Sequence, residues 1–111
     1  MKLIVAIVQD EDTSRLVNTL MKEGFSVTKL ATTGGFLRAG NTTLLLGVDD
    51  EKLKAAMETI EHVCKSRKQV ATAPTIMPDM GSMYGTASYP VEVTVGGATV
   101  FVLAVDQFVK M

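Results

Sequence analysis

The order of apolar patterns along the chain predicts an α+β fold with two helices and one sheet. Residues 2–8 form a continuous apolar run rich in β-branched side chains, which is typical of a buried central strand. Two segments with helical spacing follow at different points, and strand patterns follow each of them. The resulting order is strand, helix, strand, strand, helix, strand, with one extra strand from a C-terminal hairpin. This is the order of the ferredoxin-like β-α-β-β-α-β plan.

The first half of the plan contains one helix and two further strands. The helix is predicted to take its N-cap from residues 10–14 and to end at Gly24. Residues 25–30 alternate between apolar and polar side chains, as a half-buried strand does. Residues 42–48 are predicted to form a second buried strand. The apolar residues of the helix share one face, which packs on the sheet; they are Leu16, Val17, Leu20 and Met21.

The second helix is predicted to be capped by Asp49 or Asp50 and to continue to about residue 66. Cys64 lies on its apolar stripe, so we expect a small core residue rather than a nucleophile. His62 lies off that stripe and is expected on the solvated surface of the helix.

Two loops and a hairpin complete the predicted domain. A short glycine loop occupies about residues 32–41, and a long irregular stretch occupies about residues 72–89. Loops as long as the second are uncommon in small domains and are usually functional or disordered. Residues 91–105 alternate around Gly96 and Gly97, and Gly-Gly between alternating strands is a strong hairpin signal.

Length and composition indicate one domain spanning residues 1–111 and exclude several classes of function. The formal net charge of −1 argues against general nucleic-acid binding, which usually requires a basic face. One cysteine and one histidine can form neither an internal disulfide nor a Cys/His metal cluster. No apolar run reaches the roughly 18 residues of a membrane span, so we expect a cytoplasmic protein without membrane insertion.

The glycine loop is the segment with the clearest binding chemistry. Its glycines allow positive φ and close approach of a ligand to the amides, and successive amides can bind an anion. Phe36 offers an aromatic face, Arg38 a positive charge that suits phosphate, and Asn41 an amide. The combination suits a nucleotide, with its base on the ring and its phosphate on the amides. The alternative interpretation is an ordinary tight turn that binds nothing.

The predicted sheet also has an uncovered face. Both helices are expected on one side, while the strands are apolar on the other side as well. An uncovered apolar face predicts association, and closed cyclic symmetry is its usual form.

Four segments of the chain carry a resemblance to a known family: residues 4–10, 28–43, 89–93 and 95–102. They are similar to the PII-like cyclic di-AMP receptors of Gram-positive bacteria, and the resemblance covers essentially the whole chain. It implies a cytoplasmic, non-enzymatic homotrimer of ferredoxin-like subunits with three cyclic di-AMP sites in the clefts between them. It also implies that the short and long loops relay ligand binding to an unknown downstream protein. No metal and no cofactor beyond the ligand are expected.

The resemblance further implies which residues line the ligand. Phe36 would stack on a base, the amides of Gly35 and Leu37 would hold phosphate, and Thr28 and Asn41 would be polar anchors. The remaining implied positions are Gly47 and, near the second base, Gly96, Gly97, Ala98 and Phe101.

Two positions depart from the family pattern. Gly24 and Ser26 stand where the family has an asparagine and an arginine that reach the ligand. A hydrogen bond to a charged group contributes roughly 1.5–3 kcal/mol, so losing one weakens binding by about one to two orders of magnitude. We therefore expect weaker cyclic di-AMP binding than in typical members.

Three other functions compete with this interpretation. An acylphosphatase has a similar size and fold, but its phosphate loop follows the first strand, and here that segment is the acidic run at residues 9–12. A PII-like sensor of ATP or ADP would use the same glycine loop for another nucleotide. A structural trimer that binds no ligand is the third possibility.

Overall fold

The computed structural model describes residues 1–30, 40–76 and 86–111. These residues form six strands and two α-helices, and a 3-10 turn at Asp50–Lys52 precedes the second helix. In chain order they are β1 (Lys2–Gln9), α1 (Asp10–Lys22), β2 (Thr28–Leu30), β3 (Asn41–Val48), α2 (Leu53–Cys64), β4 (Arg67–Ile76), β5 (Thr86–Val95) and β6 (Ala98–Ala104).

The main sheet contains four antiparallel strands in the order β2-β3-β1-β6. At its centre Val5 pairs with Leu45 of β3 on one side and with Phe101 of β6 on the other. This architecture is α+β and compatible with the predicted ferredoxin-like plan, with β6 in the place of the fourth strand. Strands β4 and β5 form a separate two-stranded sheet, which we call the arm.

The predicted hairpin over residues 91–105 is wrong. β5 pairs with β4, from Arg67 opposite Val95 to Ile76 opposite Thr86, whereas β6 pairs with β1. Gly96 and Gly97 have positive φ, as hairpin glycines do, but here they connect the arm to the main sheet. A turn signal is local, and it does not specify which strand a neighbouring segment will pair with.

Both ends of the irregular stretch predicted over residues 72–89 are strand. Residues 72–76 belong to β4 and residues 86–89 to β5, while residues 77–85 lie outside the described residues. Pro74, within the predicted irregular stretch, lies in β4, and Pro90, just after that stretch, lies in β5. Proline is tolerated on edge strands, and both strands of a two-stranded sheet are edges.

The helices cover one face of the main sheet, as predicted. The buried core combines one face of β1 and β3 with the inner faces of α1 and α2. The opposite face, which we call the open face, is apolar and only partly covered within one chain. Leu3, Val5 and Ile7 of β1 are half-buried there, and Phe101 and Leu103 of β6 are 54% and 48% exposed.

The ends of α1 match the prediction at one terminus only. The N-cap is Gln9, without a side-chain cap, so the predicted cap among residues 10–14 is wrong. The acidic residues there occupy the first turn, where the helix dipole favours negative charge. At the other end Gly24 follows the C-cap residue with a φ of +92°, a conformation that glycine adopts readily. No helix in the described part of the chain is long and apolar enough to cross a membrane.

Candidate functional site

One end of the main sheet brings together four of the predicted site residues. Gln9 ends β1 and pairs with Asn41, the first residue of β3, while Ala98 begins β6 opposite Val8. The connection between the arm and β6 lies at the same end. Together they surround a cavity of about 420 Å³, within the usual range for small-molecule sites, lined by Ile7, Gln9, Asn41, Gly96, Gly97, Ala98 and Thr99.

The Gly96–Gly97 connection is held tightly in place. The Gly96 N–H donates to Oε1 of Gln9 at 2.7 Å, and the Gly97 N–H donates to the carbonyl oxygen of Cys64. Gly96 has a φ of +84°, and a Cβ there would lie 2.7 Å from the carbonyl oxygen of Lys65 and 3.0 Å from that of Cys64. Glycine is therefore required at position 96 for two reasons: the φ is positive, and a Cβ would come too close to these two carbonyl oxygens.

An ion pair between a buried carboxylate and a partly exposed arginine fixes the base of the arm behind this connection. The Asp12 side chain is 2% exposed, and its Oδ1 accepts a hydrogen bond from Nη2 of Arg67 at 2.9 Å. Nη2 of Arg15 lies 3.5 Å from the same oxygen and also donates to the carbonyl oxygen of Val63 at 2.8 Å. The hydrogen bond to Asp12 raises the pKa of Arg67. Because Arg67 begins β4, the pair ties the arm to the start of α1.

Sequence reasoning missed both Gln9 and the Asp12–Arg67 pair. Asp12 stands in an acidic first turn of α1, where carboxylates are usually solvated, and Arg67 lies 55 residues away. No spacing or motif links them, so only the folded chain reveals the contact.

A second cavity adjoins the first at the N-terminus of α1. It measures about 380 Å³ and is lined by Gln9, Asp10, Glu11, Gly40 and Asn41. The Thr42 hydroxyl donates to Oδ1 of Asp10, and the Asp10 N–H donates to the carbonyl oxygen of Gly40 at 2.8 Å. The two carboxylates oppose a phosphate here. The rest of the predicted glycine loop, including Gly35, Phe36, Leu37 and Arg38, lies outside the described residues.

The other predicted residues lie elsewhere on the main sheet. Thr28 and Phe101 are aligned across the open face but lie on the two edge strands of the sheet. Three spacings between neighbouring strands separate them, which is a distance of about 14 Å. Gly47 lies six residues along β3 from Asn41, about 20 Å away toward the other end of the sheet. A single subunit therefore does not bring these three residues to the cavity that Asn41 lines.

The two positions that depart from the family pattern are on the surface. Gly24 and Ser26 are exposed, as is Thr28, whereas the intervening Phe25 and Val27 pack against the core. The positive φ of Gly24 is one that asparagine also adopts more readily than most residues.

Cys64 is a core residue, as predicted. It is buried, and burial raises its pKa to about 11, which suppresses the thiolate that a nucleophile needs. His62 is exposed, also as predicted. Within the described ranges, no group of three or more His, Cys, Asp or Glu residues is arranged to hold a metal ion.

Comparison with known proteins assigns the family. A crystal structure of a functionally unknown protein from Pediococcus pentosaceus ATCC 25745 is 39% identical to this chain, with a TM-score of 0.75. The match covers 99% of this chain and 96% of that one. The family model described as cyclic-di-AMP receptor matches residues 1–111, the whole chain. The protein therefore belongs to the cyclic-di-AMP receptor family.

Proposed function

We propose that this protein is a cytoplasmic, non-enzymatic receptor for cyclic di-AMP that acts as a homotrimer and binds its ligand between subunits. The observation that carries the proposal is the convergence of Asn41 with Gly96, Gly97 and Ala98 on one cavity, in a chain that belongs to the cyclic-di-AMP receptor family. These are residues that the resemblance assigns to the ligand.

The chemistry of the cavity favours a nucleobase over a phosphate. None of the described residues that line it is charged, and the neighbouring cavity contributes the carboxylates of Asp10 and Glu11. An anion placed beside two carboxylates is repelled, whereas a neutral heterocycle can use the amides and the small side chains. The phosphates would then bind to the amides of Gly35 and Leu37, and the other base would stack on Phe36.

The distribution of the remaining residues supports a site shared between subunits. Thr28 lies on the β2 edge of the sheet and Phe101 on the β6 edge, so one chain cannot offer both to one base. The open face between them is apolar and half-buried in the single chain, and Phe101 and Leu103 at its β6 edge are exposed. Burying this face against neighbouring copies would remove apolar surface from water and would place edges of different subunits side by side.

The arm provides a route from the cavity to a downstream protein. Gly96 and Gly97 line the cavity and directly follow β5, so a ligand that presses on them acts on the base of the arm. We propose that the arm and the glycine loop together report the bound state to a partner protein.

Calorimetric titration and light scattering test this function. We expect cyclic di-AMP to bind with one site per subunit, ATP to bind far more weakly, and the protein to scatter as a trimer at micromolar concentration. Phe101→Ala should weaken binding by about 1–3 kcal/mol if the ring stacks on a base. Val102→Ala is the matched control, since Val102 pairs with core-facing Ile4 and lies on the other face.

Three results would contradict the proposal. A stable monomer would remove the shared site, and tighter binding of ATP would indicate a sensor of a different nucleotide. Equal effects of the two alanine variants would show that the ring of Phe101 does not contact the ligand.

A further inference from the structure

The side chain of Gln9 joins the two walls of the cavity. Gln9 pairs with Asn41 across β1 and β3, and its Oε1 accepts the Gly96 N–H at 2.7 Å from the opposite wall. It also lines both the first cavity and the adjoining one at the start of α1. A hydrogen bond accepted by the Gln9 side chain therefore links the end of β1 to the Gly96–Gly97 connection.

The bond to Gly96 fixes which end of the Gln9 amide faces the ligand. A backbone N–H can only donate, so the atom that meets it must be the amide oxygen. The amide nitrogen, with two donors, must then point away from Gly96. Among the hydrogen bonds of the described residues, the Gln9 side chain uses only its oxygen. Its two N–H donors therefore point away from Gly96, and Gln9 is among the residues that line both cavities.

The surroundings of these donors select the kind of group they would bind. None of the described residues that line the cavity is charged. Asp10 and Glu11 lie beyond it on one side, together with Lys29. The guanidinium of Arg67 lies behind Gly96 and is already paired with Asp12. An uncharged acceptor suits this environment, and the ring nitrogens of a purine are uncharged acceptors. A phosphate oxygen would instead meet the field of two carboxylates.

We propose that Gln9 is a ligand-binding residue whose amide N–H₂ donates to a ring nitrogen of the nucleobase, while its oxygen positions the Gly96–Gly97 connection. The inference rests on the proposed function and adds a base-recognising residue to that same site. The two roles depend on opposite ends of one amide, so two substitutions can separate them.

Gln9→Glu removes the donors and keeps an acceptor for Gly96, whereas Gln9→Met removes both ends of the amide in a side chain of similar length. We expect both variants to bind cyclic di-AMP about 3- to 10-fold more weakly than the wild type, the loss of one hydrogen bond. In the ligand-free protein, the Gly96 amide should exchange with solvent faster in Gln9→Met and at the wild-type rate in Gln9→Glu. Calorimetry and amide hydrogen exchange measure these two properties separately.

Titration at low and at high salt separates the lost donor from the added charge. A purely electrostatic penalty is screened as the Debye length falls from about 10 Å at 0.1 M to about 3 Å at 1 M salt. The donor role predicts that the weakened binding of Gln9→Glu persists at 1 M salt. If Gln9→Glu binds cyclic di-AMP as tightly as the wild type does when both are measured at about 1 M salt, the donor role is overturned. If the Gly96 amide of Gln9→Met exchanges with solvent at the wild-type rate, the positioning role is overturned. Failure of the wild type itself to bind cyclic di-AMP would instead overturn the proposed function.

Discussion

Gly96 should be far less tolerant of substitution than Gly97, although the two are adjacent and both have positive φ. A Cβ at Gly96 would lie 2.7 Å from the carbonyl oxygen of Lys65 and 3.0 Å from that of Cys64. A Cβ at Gly97 would meet no atom within 4 Å. Both variants lose stability because alanine disfavours a positive φ, but only Gly96→Ala places a Cβ against backbone carbonyls. The difference between their free energies of unfolding therefore measures the cost of that contact.

The expected magnitudes follow from these contacts. The left-handed conformation costs a non-glycine residue roughly 1–2 kcal/mol, and both variants carry this cost. In Gly96→Ala the chain must also move away from two backbone carbonyls, which cannot swing aside as a side chain does. That movement weakens the Gly96 bond to Gln9 and the Gly97 bond to Cys64, each with a net contribution of about 0.5–1.5 kcal/mol. We expect a loss of about 2–5 kcal/mol for Gly96→Ala and about 1–2 kcal/mol for Gly97→Ala.

Urea unfolding followed by circular dichroism measures both values. The protein concentration must be equal across variants, because the stability of an oligomer depends on it. Gly24→Ala is a further control, since Gly24 has a φ of +92° and a Cβ at this position would also meet no atom within 4 Å. If Gly96→Ala costs no more than Gly97→Ala, the tight packing of the arm base against Cys64 and Lys65 is refuted.

Two further predictions concern the ion pairs and the buried thiol. Arg67→Met should lower the free energy of unfolding more than Lys68→Met does, because Asp12 is buried and loses a charged hydrogen bond. Lys68→Met is its matched control: the Lys68–Glu92 pair is exposed and should contribute at most about 1 kcal/mol, so equal losses in urea unfolding would contradict the argument. Cys64 should react slowly with iodoacetamide at pH 8.5 in the folded protein and rapidly in urea, since burial raises its pKa from 9.0 to about 11. Rapid labelling of Cys64 in the folded protein would contradict its burial. Because the thiol ionises at a lower pH in the unfolded chain than in the folded one, the contribution of Cys64 to the free energy of unfolding should be complete below about pH 9 and be lost as the pH rises to about 11.

Much of the fold could be predicted because its signals are local. The apolar run of β1, the helices α1 and α2 and the buried strand β3 all lie where the periodicity places them, but Met21, which was predicted on the apolar face of α1, is 60% exposed. The same patterns correctly predicted that both helices cover one face of the sheet. They also placed Cys64 in the core and Gly24 at a helix end.

The partner of each strand was less predictable. The alternation around Gly96 and Gly97 suggested that β5 pairs with β6, but β6 pairs with β1 and β5 pairs with β4. Which strands pair depends on how much apolar surface the complete sheet buries. Segments that are distant in sequence can pair with the same strand edge, so local patterns do not decide between them. Prolines and small polar residues concealed the arm for a related reason, since a two-stranded sheet tolerates a composition that a central strand does not.

By itself, the sequence determined the α+β class, the positions of the main elements and the residues that resemble a nucleotide receptor, because spacing and residue type act over a few neighbouring positions. Only the tertiary structure brought Gln9 to Gly96 and Asp12 to Arg67, across 87 and 55 residues respectively. These contacts depend on how the end of β1, the start of α1 and the base of the arm meet in space. Such a meeting follows from the packing of the whole chain, so no local pattern of residues could reveal it.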